Sequence, residues 1–291
     1  MMQTREVEFS VLSNTLRGVR WGNGGGTPVI ALHGWLDNCA SFEFLAPKLE
    51  RFDIVALDLP GHGRSYHREH VGAYNIWQDI ADILLVAEQL NWPVFSLLAH
   101  SRGAMIASIL AASFPEKIDI VILIESLVPE PSSAHDAPAQ LSSSVRNLMA
   151  SLNRERRYYP SFEKAVAARV NGIIPLGYAD ARALARRGVM LSGQGYYWAN
   201  DSKAMAPSEV KFTAEQVRAF LGCLAAPVLV IVGNEGLIKN FAGFTEYVSL
   251  VSDIKVVELE GDHFLHMSLQ ATEIAQYVNS FYRLKGIGVY E

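Results

Sequence analysis

The chain contains 291 residues, of which 50% are hydrophobic and 19% are charged. This composition is typical of a globular protein and excludes a disordered, collagen-like or coiled-coil chain. The formal net charge of −5 argues against nucleic acid as the main partner, because phosphate binding needs a concentrated basic surface. The two cysteines, Cys39 and Cys223, match neither a disulfide framework nor a zinc site, so we expect a reducing compartment.

Membrane association is not expected from the hydrophobic pattern. The longest apolar runs, such as residues 118–124 and 224–232, are far shorter than the ~20 residues that cross a bilayer. No signal-peptide stretch precedes the first alternating segment, residues 7–11. We therefore expect a cytoplasmic protein with no membrane partner.

The secondary-structure pattern begins with two predicted strands, residues 7–11 and 16–21, followed by a glycine-rich turn. After this hairpin, short apolar runs alternate with segments of helical periodicity. Strands that are buried on both faces have such runs, and the helices between them cover a parallel sheet. We predict an α/β fold with a predominantly parallel sheet flanked by helices. The later predicted strands are residues 28–32, 54–57, 94–98, 118–124, 228–232 and 255–259, and the predicted helices are residues 76–90, 103–114 and 272–284.

The alternation stops between residues 127 and 211, where no strong strand pattern is found. The segment opens with the linker-like sequence PEPSS and continues with helical patterns. It carries 11 Lys and Arg against 7 Asp and Glu, opposite in sign to the whole chain. We predict a helical cap insertion over residues 127–211, with a core of residues 1–126 and 212–291. Its arginines could attract an anionic substrate or could simply form solvated helix faces.

The strongest chemical signal is the sequence LLAHSRGA at residues 97–104. An apolar strand leads into Ser101, with the small residues Ala99 and Gly103 two positions on either side, and an alanine-rich helix follows. This is the context of a nucleophile elbow, whose tight turn raises the serine hydroxyl above the sheet. The alternative is an ordinary serine at a helix N-cap.

Two other segments would complete an acyl-transfer site. The strand that ends at Leu32 leads into His33-Gly34-Trp35, so the N–H groups of Trp35 and Arg102 could form an oxyanion hole. His263 follows the last predicted strand and could accept the serine proton, with His266 as the alternative base.

Two segments partly match known binding motifs, one for a dinucleotide and one for a metal. Gly61-His62-Gly63 follows a strand, but Tyr66 stands where a dinucleotide-binding loop has its third glycine. We interpret this segment as a turn, with a structural role for His62. His67 and His70, three residues apart, could hold a metal, but we interpret them as part of a solvated loop. We predict neither a metal nor an organic cofactor.

Taken together, these segments resemble the α/β-hydrolase fold superfamily over nearly the whole chain. The loop at residues 33–38 (HGWLDN), the loop at residues 58–65, the Ser101 elbow and Gly261-Asp262-His263 stand in that family's order. Within the family, the chain is most similar to serine-hydrolase-like proteins, a likeness that includes the sequence GYYWAND at residues 195–201. The resemblance implies the family's strand order and the placement of a cap.

The acidic member of the triad departs from the family's common pattern. The usual aspartate position after the penultimate strand is occupied by Gly236. Glu125 ends the strand after the nucleophile helix, a place that some relatives use for this acid, whereas Glu235 lies one residue before the usual place. Because the acid only has to orient the imidazole and stabilise its cation, either strand end could serve. Of the two, we favour Glu125 over Glu235. Glu125 could instead be a purely structural carboxylate.

These features predict a serine hydrolase that cleaves a small to medium ester or thioester through an acyl-enzyme. The expected partner is a small-molecule acyl substrate, and the oligomeric state stays open. A carbon–carbon bond hydrolase or a perhydrolase could use the same triad. A non-catalytic ligand-binding protein derived from a hydrolase is the alternative outside enzymes.

Overall fold

The computed structural model describes residues 3–22, 24–49, 51–268 and 270–286. Within these residues the strands form an eight-stranded sheet and a separate two-stranded hairpin. The strands are β1 (Thr4–Val11), β2 (Asn14–Trp21), β3 (Thr27–Leu32), β4 (Phe52–Leu57), β5 (Phe95–His100), β6 (Ile118–Ile124), β7 (Val189–Ser192), β8 (Gly195–Trp198), β9 (Val228–Gly233) and β10 (Ile254–Leu259).

The large sheet has the strand order β1-β2-β4-β3-β5-β6-β9-β10. β1 and β2 pair antiparallel, and β2 continues antiparallel onto β4. The remaining pairs, from β4 to β10, are all parallel. The prediction of a mostly parallel α/β sheet that begins with an antiparallel hairpin is therefore confirmed. Each predicted buried strand overlaps an observed strand and extends at most one residue beyond it.

Helices connect the strands, as parallel pairing requires. The helix predicted at residues 76–90 begins as a short 3-10 turn at Ile76–Gln78 before the α-helix starts at Asp79. Within the described residues, no helix combines the length and the apolar character that crossing a bilayer demands. The α-helices are α1 (Asp79–Gln89), α2 (Arg102–Ser113), α3 (Ala137–Leu152), α4 (Phe162–Val170), α5 (Tyr178–Gly188), α6 (Ala214–Gly222), α7 (Phe244–Ser249) and α8 (Ala271–Lys285).

The sheet is buried on both faces by two apolar layers. Successive residues of a strand point to opposite faces. Accordingly, Ile30 and Leu32 of β3 pack with α1 and α2, whereas Val29 and Ala31 pack with α8. All six residues of β5 are buried. This double burial explains why the central strands are continuous apolar runs in the sequence.

Residues 127–211 contain α3, α4 and α5, but also the hairpin of β7 and β8, which the sequence analysis did not predict. The two strands have four residues each and are only partly buried, so they lack the continuous apolar run of the core strands. A smaller apolar cluster, which includes Val166, Leu184 and Phe264, packs this segment against the loop after β10.

A buried ion pair ties the same segment to the sheet. Arg187 of α5 donates from Nε to Asp58 at 2.8 Å and from Nη1 to Glu6 at 2.8 Å. Asp58 directly follows β4 and also accepts hydrogen bonds from the backbone N–H groups of Cys39 and Arg64. Because the Asp58 side chain is fully buried, losing Arg187 would leave an unpaired charge in the interior.

The turn from β5 into α2 is as tight as the sequence predicts. A Cβ added at Gly103 would overlap the carbonyl oxygen of Leu32 at the end of the neighbouring strand β3. Backbone atoms cannot move aside as the end of a flexible side chain can. The absence of a side chain at Gly103 therefore lets α2 begin directly over the sheet.

We predict that Gly103→Ala lowers the free energy of unfolding by about 3 kcal/mol, because the added methyl group displaces strand backbone. Urea unfolding followed by circular dichroism measures this change. Gly222→Ala is the matched control, since a Cβ there has no neighbour within 4 Å. That variant should be as stable as wild type or slightly more stable. Equal stability of the two variants would contradict the close approach.

Candidate active site

Ser101 lies at the turn between β5 and α2 in a strained backbone conformation. Its φ of 51° and ψ of −116° fall where non-glycine residues rarely occur. Its own N–H donates to the carbonyl of Ile124 at 2.9 Å, which holds the turn against the end of β6. The side chain is half-buried, so the hydroxyl is accessible.

His263 bridges the serine to a carboxylate. It lies four residues past the end of β10, and its Nε2 is 3.0 Å from Ser101 Oγ. Its Nδ1 is 3.1 Å from Glu125 Oε2. A carboxylate beside Nδ1 favours the tautomer that carries its proton there, which leaves Nε2 free to accept the serine proton.

Glu125 follows β6 with a φ of 58°, a second strained position at this edge of the sheet. Its carboxylate is buried and accepts two backbone hydrogen bonds besides the contact with His263. Gly233 N–H donates to Oε1 at 2.7 Å, and Leu237 N–H donates to Oε2 at 2.8 Å. The structure thus brings Glu125 against His263, whereas Glu235 is exposed at the surface.

Gly236, at the family's usual position for the acid, is also explained by this arrangement. A Cβ added there would overlap both carboxylate oxygens of Glu125. A side chain at residue 236 and the carboxylate of Glu125 therefore exclude one another. The two positions offer alternative routes into the same space beside His263.

Trp35 and Arg102 follow the ends of two adjacent strands, β3 and β5. Leu32 of β3 is in register with Ala99 of β5, so the residues that follow both strands emerge at the same edge. Neither residue's backbone N–H has a hydrogen-bond acceptor among the described residues. The Arg102 side chain turns away to a buried ion pair with Asp79 at 2.8 Å.

His266, the alternative base, does not reach the serine. Its Nε2 lies 2.7 Å from the hydroxyl of Ser41, and its ring is fully buried. Burial and the nearby His263 lower the pKa of His266 to about 3. His266 therefore stays neutral and packs beneath the site.

Sequence reasoning assigned no role to His100, although its position before Ser101 could have drawn attention to it. The buried ring donates from Nε2 to the carbonyl oxygen of His263 at 2.8 Å, so it holds the backbone of that loop. Burial lowers the pKa of His100 well below its ordinary value. Nδ1 of His100 lies 4.0 Å from Oδ2 of Asp37. Because the ring is neutral, the two groups do not form an ion pair.

The sequence analysis also missed the ion-pair partner of Asp37, because the two residues are far apart in the sequence. Asp37 is buried in the loop after β3 and pairs with Arg169 of α4 at 2.9 Å. Burial raises the pKa of Asp37, and the nearby arginine opposes that shift. Asn200 also donates to the carbonyl of Leu36 at 2.8 Å, so residues 127–211 hold the same loop through both contacts.

The remaining histidines give no sign of a metal centre. His62 is buried, and burial lowers its pKa to about 4, in keeping with a structural role. His67 lies 3.7 Å from Asp201. Across the part of the chain that the structure describes, no group of three or more His, Cys, Asp or Glu side chains could hold a metal ion.

A cavity of about 630 Å³ lies beside the loop after β3, and we call it the Trp35 cavity. Its wall includes Trp35 and Leu36 of that loop and Trp198 of β8. Residues of the loop between α3 and α4 also line it. A volume of this size holds a drug-sized molecule.

Comparison with known proteins identifies the family to which the fold belongs. Residues 27–268 match the alpha/beta hydrolase fold family. The chain belongs to that family. A "Serine hydrolase-like protein" from Danio rerio is 31% identical over 276 residues, which cover 90% of this chain and 84% of that protein. The resemblance inferred from the motifs is therefore confirmed.

Two solved structures extend the comparison of this alpha/beta hydrolase. A hypothetical protein from Pseudomonas aeruginosa PAO1 is 35% identical with a TM-score of 0.91, and the match covers 96% of this chain and 99% of that one. A thioesterase domain from the curacin biosynthetic pathway is 25% identical with a TM-score of 0.84, over 95% of this chain and 99% of that one.

The neutral state of His266 leads to a testable dependence of stability on pH. The unfolded chain takes up a proton at this residue below pH 6.5, whereas the folded chain does so only near pH 3. The stability that His266 contributes is therefore present above pH 6.5 and is lost as the pH falls, by about 1.4 kcal/mol per pH unit.

The free energy of unfolding should fall between pH 6.5 and 4.5 in both wild type and His266→Gln. We predict that the fall is smaller in His266→Gln by about 2–3 kcal/mol. Urea unfolding at several pH values measures both slopes. His135→Gln, at an exposed position, controls for the substitution itself. Parallel curves for wild type and His266→Gln would refute the assignment of a neutral buried ring.

Proposed function

We propose that this alpha/beta hydrolase cleaves a small to medium ester or thioester with Ser101 as nucleophile, His263 as base and Glu125 as the orienting acid. The proposal rests on one observation: a single imidazole lies 3.0 Å from the serine hydroxyl and 3.1 Å from a buried carboxylate. Nucleophile, base and orienting group within hydrogen-bond reach are the requirement for an activated serine.

In the first step, His263 removes the proton from Ser101 as Oγ attacks the substrate carbonyl carbon. The new bond joins Oγ to the acyl carbon, and the N–H groups of Trp35 and Arg102 stabilise the oxyanion. When the carbon–oxygen or carbon–sulfur bond breaks, His263 returns the proton to the leaving alcohol or thiol. Glu125 stabilises the imidazolium that forms between these transfers.

In the second step, water replaces the leaving group. His263 accepts a proton from this water while its oxygen attacks the acyl-enzyme carbonyl. The bond from Ser101 Oγ to the acyl carbon then breaks, the serine recovers its proton, and a carboxylic acid leaves. The reaction consumes one water and uses no metal or organic cofactor.

We infer that residues 127–211 act as a cap over this site. The support is their hold on the loop after β3, where Arg169 pairs with Asp37 and Asn200 bonds the carbonyl of Leu36. The proposed oxyanion donor Trp35 belongs to that loop. A cap that fixes the loop would exclude water and hold the donor in place. The similarity to a thioesterase domain from the curacin biosynthetic pathway supports acyl transfer.

We predict that a fluorophosphonate adds one adduct to the wild-type protein and none to Ser101→Ala, because only an activated serine reacts. Intact-mass analysis measures the adduct, and hydrolysis of 4-nitrophenyl butyrate measures turnover. Ser65→Ala, a second serine beside the sheet, serves as the matched control and should still be labelled at Ser101. A folded wild type without an adduct would overturn the triad and favour a ligand-binding protein.

A side chain at residue 236 would occupy the space of the Glu125 carboxylate. We therefore predict that the acidic residue of the triad can be moved from position 125 to position 236. Glu125→Ala should lower kcat for the aryl ester by about 10³–10⁴-fold, because the imidazole loses its orienting group. Adding Gly236→Asp to Glu125→Ala should restore at least about 10-fold of that loss, since the aspartate enters the vacated space. Steady-state kinetics with 4-nitrophenyl butyrate checks both values.

Glu235→Ala controls for this pair, because it removes an exposed carboxylate one residue away. Its activity should stay within about twofold of wild type. Full activity of Glu125→Ala would contradict its assignment as the acid. A loss in Glu235→Ala as large as that in Glu125→Ala would transfer the role to Glu235.

A further inference from the structure

The residues that line the Trp35 cavity carry an excess of positive charge. Arg154, Arg156 and Arg157 line it, and none of them forms an ion pair in the described part of the chain. Glu155 is the one unpaired carboxylate among the lining residues. These four residues are exposed, and three cations against one anion favour a negatively charged group at this part of the cavity wall, less strongly at high salt.

The other charged groups of the cavity are already compensated. Arg169 pairs with the buried Asp37 at 2.9 Å. Asp201 accepts a hydrogen bond from the hydroxyl of Tyr74 at 2.7 Å and lies 3.6 Å from Lys203 Nζ. The free charge is therefore confined to the loop that carries the three arginines.

Aromatic rings hold two of these arginines in position. The guanidinium of Arg156 stacks over Tyr197 at 4.4 Å, and that of Arg157 lies over Tyr159 at 5.1 Å. Backbone hydrogen bonds of 2.7 and 2.9 Å join Tyr159 to Tyr196, so this loop is anchored on the hairpin. Stacking uses the face of a guanidinium and leaves its in-plane N–H donors free for a carboxylate or a phosphate.

The cavity lies next to the proposed nucleophile without containing it. Trp35 is part of the cavity wall, and its backbone N–H is the proposed oxyanion donor for Ser101. Leu32 and Ala99 are in register, so Trp35 and Ser101 follow adjacent strand ends, and neighbouring strands are ~4.8 Å apart. A molecule with one end in the cavity could therefore place a carbonyl at Ser101.

We propose that the Trp35 cavity binds a negatively charged group of the substrate, so that the preferred substrate is an anionic ester or thioester. This inference rests on the proposed function. The recognised chemistry is an oxyanion group, either a carboxylate at the end of the acyl chain or a phosphate on the thiol carrier. Arg156 and Arg157 bind that group through paired N–H donors, and Arg154 adds to the potential.

Two pairs of substrates test the proposal and separate the two sources of charge. The mono-4-nitrophenyl ester of glutaric acid and 4-nitrophenyl pentanoate have the same chain length and differ in the terminal carboxylate. S-butyryl-4′-phosphopantetheine and S-butyryl-pantetheine have the same acyl group and the same pantetheine arm and differ only in the phosphate. We expect kcat/KM to favour the charged member of at least one pair by about 10-fold or more.

Variants of the arginines test whether these residues cause the preference for a charged substrate. Arg156→Gln/Arg157→Gln should lower kcat/KM for the preferred charged substrate by about 100-fold and change the neutral partner by less than about threefold. The matched control is Arg182→Gln, which removes an exposed arginine of α5 outside the cavity and should leave both values unchanged. Raising the salt concentration to 0.5 M should reduce the preference of wild type.

Binding to Ser101→Ala gives a readout that does not depend on turnover. Titration calorimetry with glutarate and with free coenzyme A should detect binding of at least one, and Arg156→Gln/Arg157→Gln in the same background should abolish it. This result supports the charged site even if no ester is cleaved. Absence of labelling by a fluorophosphonate refutes the proposed function separately.

Two outcomes would overturn the inference while leaving the proposed function intact. One is turnover of both neutral substrates with no gain for either charged partner. The other is an equal loss of activity on charged and neutral substrates in Arg156→Gln/Arg157→Gln, which would mean that the loop has only a structural role.

Discussion

The buried carboxylate of Glu125 is the group on which the arrangement of the site depends. It joins three strand ends: Glu125 follows β6, accepts N–H groups from Gly233 at the end of β9 and from Leu237 after it, and contacts His263 after β10. A carboxylate taken out of water must be fully hydrogen-bonded, and here backbone donors meet that need. The strained φ of Glu125 and the absence of a side chain at Gly236 both follow from this placement.

Beneath Ser101 and His263 lies a buried layer of neutral imidazoles. His100 holds the carbonyl of His263, and His266 bonds Ser41. Burial lowers the pKa of both rings, so no positive charge competes with His263 for the carboxylate. A Cβ at Gly34 would come within 2.9 Å of His100 Nδ1, which shows how closely the loop after β3 packs on this layer.

Residues 127–211 are bound to the sheet by polar contacts that converge on the loops after β3 and β4. Arg169 and Asn200 hold the first loop, and Arg187 holds Asp58 at the start of the second. The loop that carries Trp35 is thus fixed from both sides. The proposed oxyanion donor and the wall of the Trp35 cavity therefore share this support.

The sequence by itself determined the sheet, the serine turn and the histidine, because each has a local signature. Strands buried on both faces, such as β3, are apolar runs, and the Ser101 turn needs Gly103 two residues later. The choice between Glu125 and Glu235 required the tertiary structure, since both follow a strand and only packing shows which one reaches His263. The β7–β8 hairpin was missed because its four-residue strands are partly exposed. The pairing of Arg169 with Asp37 spans 132 residues, and no local pattern encodes such a contact.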